Sequence, residues 1–481
     1  MNSRRSVVVG AGVTGTSAAL TLAAQGHSVT LIDENPLSAA CLAADTPYFF
    51  GPRPVPGINH RGLMLERVLE ANPALQQAWE AGVEVLLGTS VWGSFRAGEN
   101  YRHLDRPCLG LADAERSWTL EYDRLILATG ARDLVLSFPG WELQGVLGAQ
   151  AAHALLARYG AFSGRRIVIL GSGPLALATA ALALHHGLEI AGIVEVADSV
   201  QGDAEQAAEL GKLGVPFFTA HVPLRATGQD EVRSLEIAAL DRNGKPVAGR
   251  VRELTCDTVC LAIGLVPNVE LPALSGCSLA YDGSSGGWVP RRDASLQSSV
   301  SGIYVAGDAG GILHDSAQAE AEGRRAALAA AGQSVPREVV TARRDIDEER
   351  RRWLAALVTC GGMEVLVCQC EEVSRRELIE VSPPRYLNAL RAPGLASLDD
   401  LSVPNPNVLK RLTRAGMGHC QGRRCREQVA LLLAEAAGVD PASVPLATYR
   451  PPIRPIPLRV LQSEADEPGQ PWAMWFHPVR R

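Results

Sequence analysis

Short apolar runs recur along the chain, and several stop at glycine. Val7-Val8-Val9 leads into Gly10, and Ser6–Asp33 as a whole reads strand, glycine-rich turn, helix, strand. Arg166–Glu195 reads the same way, its first glycine, Gly171, lying 161 residues after Gly10. That spacing predicts one βαβ unit in each of two dinucleotide-binding domains and is far too long for a solenoid repeat. Tyr122–Gly130, Val259–Gly264 and Gly302–Asp308 are further buried strands running into glycine turns. The last returns the chain to the first domain, so that domain is predicted to be split in sequence.

The expected class is therefore α/β, with two Rossmann-like domains followed by a small, mainly α domain. Residues 1–150 and 268–333 form the first nucleotide-binding domain and 151–267 the second. Residues 334–360, charged and rich in Arg and Glu, suit an exposed linker or connecting helix. A cysteine-bearing domain occupies 361–440. A Pro-rich tail, 441–481, favours extended structure that either drapes over another surface or ends free.

The 481 residues call for more than one core, and 47% hydrophobic content with 47 Gly and 30 Pro suits a turn-rich globular protein. A net charge of −6 gives no drive toward nucleic acid. Lysine occurs only at Lys212, Lys245 and Lys410, a bias of composition more than a binding surface. Arg4-Arg5 before an apolar run resembles a secretory leader, but the glycines fall in dinucleotide-binding phase. A first strand of a cytoplasmic fold is the better reading. No uninterrupted apolar stretch reaches the ~18 residues of a membrane span; the helix Leu175 to Leu184 comes nearest and stops at His185-His186-Gly187.

Gly10-Ala11-Gly12-Val13-Thr14-Gly15 is a full G-x-G-x-x-G between strand and helix. Gly10 permits the tight turn, Gly12 admits a pyrophosphate, and Gly15 lets helix and strand approach; the helix N-terminus at Val13 and Thr14 faces the diphosphate. Asp33, 18 residues after Gly15 and followed by Glu34, is placed to accept hydrogen bonds from a ribose. Gly171-Ser172-Gly173-Pro174-Leu175-Ala176 is a looser copy, with Ala at the third position and Glu195 in the place of Asp33. An acid there favours a free 2′-hydroxyl, hence NAD or another adenosine nucleotide. A fold that has kept its glycines and lost its ligand is the alternative.

Of the ten cysteines, Cys368-Gln369-Cys370 and Cys420–Cys425 form two close pairs, C-x-C and C-x₄-C. Four such thiolates suit Zn²⁺ or a [2Fe–2S] cluster, although C-x-C suits tetrahedral zinc less well. Cys41 has no partner within five residues, and Cys256 and Cys260 fall on or near a buried strand. A redox dithiol serving a flavin is not expected.

Gly10–Gly15, Asp33, Thr129-Gly130, Gly171–Ala176 and Gly307-Asp308 together resemble the two-dinucleotide-domain flavoproteins. The resemblance implies FAD in the first domain, with Asp308 against its ribityl and phosphate and the helix opening near Ser316 aimed at the flavin ring. Cys-Gln-Cys-Glu-Glu-Val and Arg414–Gly422 resemble the bacterioferritin-associated-ferredoxin type [2Fe–2S] domain, which implies Cys368, Cys370, Cys420 and Cys425 as cluster ligands. The domain order and the Tyr449–Pro457 tail resemble the α (A/B-type) subunits of bacterial heteromeric amino-acid dehydrogenases: opine oxidase, hydroxyproline or proline dehydrogenase and hydrogen cyanide synthase. That likeness implies an electron-transfer subunit of a cytoplasmic complex, associated with a membrane only through its partners. It also implies a β subunit of amino-acid-oxidase type with its own FAD, a small ferredoxin-like [2Fe–2S] subunit, and FMN at a subunit interface. NAD or ATP in the second domain stays open, and no catalytic residue is assigned. A stand-alone NAD(P)H-dependent reductase and a non-catalytic scaffold are the other readings.

Overall fold

The computed structural model describes residues 4–36, 61–96, 104–313, 315–335, 346–390 and 403–462. Cys41 and the stretch Phe49–Pro56 lie outside them. Arg5–Val9, flanked by Ser28–Ile32 and Arg124–Leu127, forms the centre of a five-stranded parallel sheet. Glu84–Leu86 closes one edge, and Ile303–Val305 closes the other, pairing with Arg124–Leu127 from far along the chain. Val9 stands opposite both Ile32 and Leu127, and Leu127 opposite Val305, so the strands deliver their carboxyl ends to one level. In open parallel sheets that level is where ligands bind. An antiparallel sheet of Ser90–Phe95, Cys108–Ala112 and Ser117–Glu121 is added to this half.

The second parallel sheet has the order Phe217–Phe218, Glu189–Val194, Arg166–Leu170, Thr258–Leu261, Val146–Gly148. The helix predicted from Leu175 to Leu184 spans Pro174–His185, with Pro174 in the first turn, where its missing N–H costs nothing. Three antiparallel strands, His221–Gly228, Val232–Leu240 and Pro246–Thr255, extend this half. The halves are joined by a two-stranded ribbon in which Arg132 pairs with Val266.

The charged segment after residue 334 is not simply an exposed connector. Asp347–Gly361 is a helix whose outer residues are ion-paired while Trp353, Leu354 and Leu357 enter the core. The one-turn spacing of Trp353 and Leu357 makes the stripe, and Leu354 widens it. That core also holds Leu136, Phe138 and Trp141 of the inter-domain segment and Val367, Cys368 and Leu433 of the cysteine region. Burying such side chains stabilises by roughly 1.5–3 kcal/mol each, so the C-terminal region is welded to the second fold. Trp141 adds a directional tie by donating its indole N–H to the Leu366 carbonyl at 2.7 Å. Among the described residues no helix is long and apolar enough to cross a membrane.

Candidate flavin cavity and cysteine ring

The first glycine turn differs from position to position. Gly10 has φ +103°, and a Cβ there would lie 2.2 Å from the Ala128 carbonyl oxygen; at Gly15 it would lie 1.7 Å from the Gly10 oxygen. Both glycines are required by packing. At Gly12 a Cβ would meet nothing within 4 Å. That open face borders a cavity of about 690 Å³, which the turn shares with Asp33, Glu34, Thr129 and Gly130.

The walls are held by polar contacts between distant segments. Asp33 accepts the Ala11 amide at 2.7 Å through one oxygen and the Asn35 amide at 2.8 Å through the other. Asn268 locks the Thr129-Gly130 turn: its side chain donates to the Thr129 carbonyl at 2.8 Å and its amide to that of Gly130 at 2.9 Å. Glu34 pairs with Arg454 of the Pro-rich tail at 2.8 Å. The tail therefore drapes and does not end free: Ile453 is buried in the first domain's core, and its amide donates to the Trp92 carbonyl at 2.9 Å.

Two buried polar atoms of residues lining this cavity, Gln150 Oε1 and His153 Nε2, have no hydrogen-bond partner among the described residues. Burying such groups unpaired costs roughly 1–3 kcal/mol each. A polar, flat cofactor would pair them. With the open Gly12 face and the helix N-terminus at Val13, the residues present fit a flavin dinucleotide.

Gly307 and Asp308 do not line the cavity. A Cβ at Gly307 would lie 2.4 Å from Thr14 Oγ1, and its amide donates to Glu322 at 2.9 Å. Glu322 in turn pairs with Arg292 at 2.9 Å. Asp308 accepts the Leu313 amide at 2.9 Å. The helix Ser316–Ala330 that follows is capped by Asp315.

The second turn repeats the architecture without opening onto that cavity. Gly171 again has φ +103° and abuts the Ala262 oxygen. Glu195 is 3% exposed; one oxygen takes the Ser172 amide at 2.9 Å and hydroxyl at 2.8 Å, the other the Ala197 amide at 2.9 Å. Burial pushes its carboxyl above the ordinary range despite these donors. A ribose at Gly173 would have to compete with the protein's own donors for Glu195.

Residues beyond the glycine motifs close the site. Arg132 joins three segments: its guanidinium meets Glu270 at 3.1 Å and Glu427 at 2.6 Å and donates to the Arg423 carbonyl at 3.1 Å. Asp133, beside it, accepts the Gln150 and Ala151 amides at 2.9 and 3.1 Å, and burial pushes its carboxyl up to about 7. Nothing in the local sequence around Arg132 or Asp133 marks them, because their partners lie far along the chain.

The four C-terminal cysteines converge into a ring. Cys370 and Cys420 sulfurs are 3.2 Å apart, Cys368 hydrogen-bonds to Cys370 and Cys425, and Cys420 to Cys370 and Cys425. Cys368, Cys420 and Cys425 are buried and Cys370 half-buried, all with free sulfurs. These contacts favour the thiolate at Cys368 and Cys420, which accept from the other two. The Gly416 amide donates to Cys368 at 3.4 Å, those of Gly422 and Arg424 donate to Cys420, and a Cβ at Gly418 would press on Cys370 at 2.9 Å. Ligands around a tetrahedral ion at about 2.3 Å would sit roughly 3.8 Å apart, so the ring is drawn tighter than a mononuclear site. Accordingly, no group of three or more His, Cys, Asp or Glu among the described residues is spaced for a metal ion. The donor set, four convergent sulfurs with amides turned to them, fits a thiolate-ligated cluster on modest widening. Cys256 and Cys260 show no such convergence: they are buried in separate core clusters, and burial raises both thiols.

The ring and the cavity share a wall. Arg423 and Arg424, inside the Cys420–Cys425 loop, line the 690 Å³ cavity. Arg424 lies 4.7 Å above the Trp141 ring; burial lowers its guanidinium to about 10, against the pull of Cys420, Cys370, Cys425 and Asp133.

Residues 4–344 match the sequence profile of pyridine nucleotide-disulphide oxidoreductases. The chain belongs to that family. This oxidoreductase family is FAD-dependent. Residues 403–465 match a second profile, the sarcosine oxidase A3 domain. The A-type component of opine oxidase from Rhizobium meliloti (strain 1021) is 30% identical over 94% of this chain and 97% of its own. The HcnB component of hydrogen cyanide synthase from Pseudomonas aeruginosa is 28% identical over 96% and 99%. L-proline dehydrogenase from P. horikoshii superposes with a TM-score of 0.60 at 21% identity, covering 96% of this chain and 80% of that one. This oxidoreductase is thus a subunit-type member of the opine, sarcosine and proline oxidase group. Its likeness extends through the cysteine region as well as the two nucleotide-binding folds.

Proposed function

We propose that this chain is the electron-transfer subunit of a heteromeric amino-acid dehydrogenase, with FAD at the first glycine turn and a [2Fe–2S] cluster on Cys368, Cys370, Cys420 and Cys425. The carrying observation is the shared wall: one six-residue loop supplies two sulfurs of the ring and two arginines of the cavity. The flavin would supply the exchange between two-electron and one-electron chemistry, and the cluster one-electron transfer. Around them the chain's residues bind and seal. Gly12 and the helix N-terminus receive the diphosphate; Asn268 fixes the Thr129-Gly130 turn; Ile453 and Arg454 fold the tail over the cavity and exclude water.

In this reading a partner β subunit with its own FAD oxidises the amino acid at its C–N bond. Electrons reach this chain, through FMN where one lies at the subunit interface, and leave across the Cys420–Cys425 loop. A small ferredoxin-like [2Fe–2S] subunit completes the complex. The second fold, with Glu195 turned onto its own loop, takes NAD or ATP only by displacing those contacts. Affinity purification of the tagged chain from its native cells tests the proposal. The expected companion is a flavin-bearing oxidase-like polypeptide, and the complex should reduce a dye with an amino acid. A chain that purifies alone and whose flavin bleaches with NADH would support a self-contained reductase instead.

A further inference from the structure

A second cavity, of about 280 Å³, opens beside the cysteine ring on the side away from the flavin motif glycines. Its walls carry Lys410, Arg411, Arg423, Arg426 and Arg450. Among the described residues they face a single carboxylate, Glu270, which is already drawn to Arg132 at 3.1 Å. Five cations around so small a space repel one another, and the cost rises with burial. Lys410 records that crowding: burial and the charges of Arg450, Arg426 and Arg411 lower its ammonium, and it hydrogen-bonds to the neutral Asn407 (3.1 Å) and Thr448 (3.4 Å).

Arg426 is the second observation. It is 7% exposed, and its Nη2 donates to the Gln421 carbonyl at 2.7 Å. Its Nε and Nη1 are buried without any hydrogen-bond partner among the described residues, and the guanidinium lies 3.7 Å from the centre of the Tyr449 ring. The Tyr449 hydroxyl is likewise buried and unpartnered. A buried arginine with two idle donors beside an idle hydroxyl, in a ring of cations, lacks an acceptor of opposite charge.

We propose that this cavity binds a phosphate-class dianion, as free phosphate or as the phosphoryl end of a small phosphomonoester. The volume lies just below the range of drug-sized sites, about 300–1,000 Å³, and is ample for a phosphoryl group. The planar fork of Arg426 offers adjacent N–H groups to two oxygens, Tyr449 offers an O–H, and Lys410 and Arg450 add charge from the rim. The site stands whether or not the cysteines carry a cluster.

The test is calorimetric titration of the FAD-loaded full chain, whose first glycine turn is then filled, with inorganic phosphate and with glycerol 1-phosphate. One saturable site is expected. Lys410→Gln and Arg450→Gln, both away from the core, should each weaken it about tenfold, while Lys212→Gln, on a remote helix, leaves it unchanged. Glycerol 1-phosphate binding at least tenfold tighter than phosphate assigns the site to a phosphomonoester; equal affinities assign it to free phosphate. No binding of either compound, or unchanged affinity in both Lys410→Gln and Arg450→Gln, overturns the proposal.

Discussion

Arg132 is the side chain whose removal should cost the fold most. It is buried, with about 10% of its side chain exposed, and its partners Glu270 and Glu427 are 5% and 7% exposed. Arg132→Ala would leave two carboxylates in a place built for ions with no cation against them. Breaking a buried pair in this way costs roughly 3–5 kcal/mol, and a shared partner puts the expectation at the upper end. For a chain of this size each kcal/mol moves Tm by about 2 °C, so a fall of roughly 6–10 °C is expected in the transition containing the cysteine region. The pH dependence is a second check. Burial pushes the Glu270 carboxyl up, but Arg132 together with Arg454 and Arg426 holds it below its ordinary 4.5. In the wild type, Glu270 therefore adds stability above about pH 4.5, lost as the pH falls through its lower folded pKa. With Arg132 gone, burial raises that pKa, and the variant's penalty should shrink between pH 7 and 5 as Glu270 takes up a proton. Differential scanning calorimetry at both pH values reads the outcome. A shift under about 2 °C, or a deficit that does not depend on pH, would refute the junction as described.

Other expectations follow from the same geometry. Gly12→Glu should leave the melting profile within about 2 °C of wild type but abolish flavin absorbance in the purified protein, because the side chain meets only open cavity; retained stoichiometric flavin would contradict the placement. Arg454→Ala breaks a partly exposed ion pair and should cost at most about 1 kcal/mol of stability, while speeding FAD release several-fold in a dilution assay. Asp133 has a folded pKa raised to about 7, so its share of stability is full below about pH 4 and is lost as pH rises toward and past 7. Asp133→Asn should flatten that segment of the pH–Tm curve, and an unchanged curve would count against the buried acid. Anaerobic NADH should not bleach the flavin of the isolated chain at a catalytically useful rate.

Much of the architecture was legible because it rests on local chemistry. A strand, a glycine turn and a helix in register predict a βαβ unit, and Gly10 and Gly171 share one backbone angle for one steric reason. The four cysteines stood out by spacing, and the fold brings them together. The tail's composition left its course open; Ile453 in the core and Arg454 on Glu34 decide it only through contacts hundreds of residues apart. Arg132, Asp133 and Asn268 were invisible for the same reason, being ordinary residues made important by what folds against them. Glu195 was read by position as a ribose acceptor, whereas its carboxylate is taken up by the Ser172 and Ala197 donors. The helix Asp347–Gly361 was masked by its charged first turns, which hide the apolar stripe behind Trp353.

The central claim is that flavin and cluster occupy separate sites joined by one loop. Flavin and iron should be measured per chain in protein purified without oxygen, for the wild type and for Cys368→Ser and Cys425→Ser. The account predicts one FAD and two irons in the wild type, and FAD with no iron in either variant. Wild-type protein without iron, or variants that lose FAD and iron together, would contradict it.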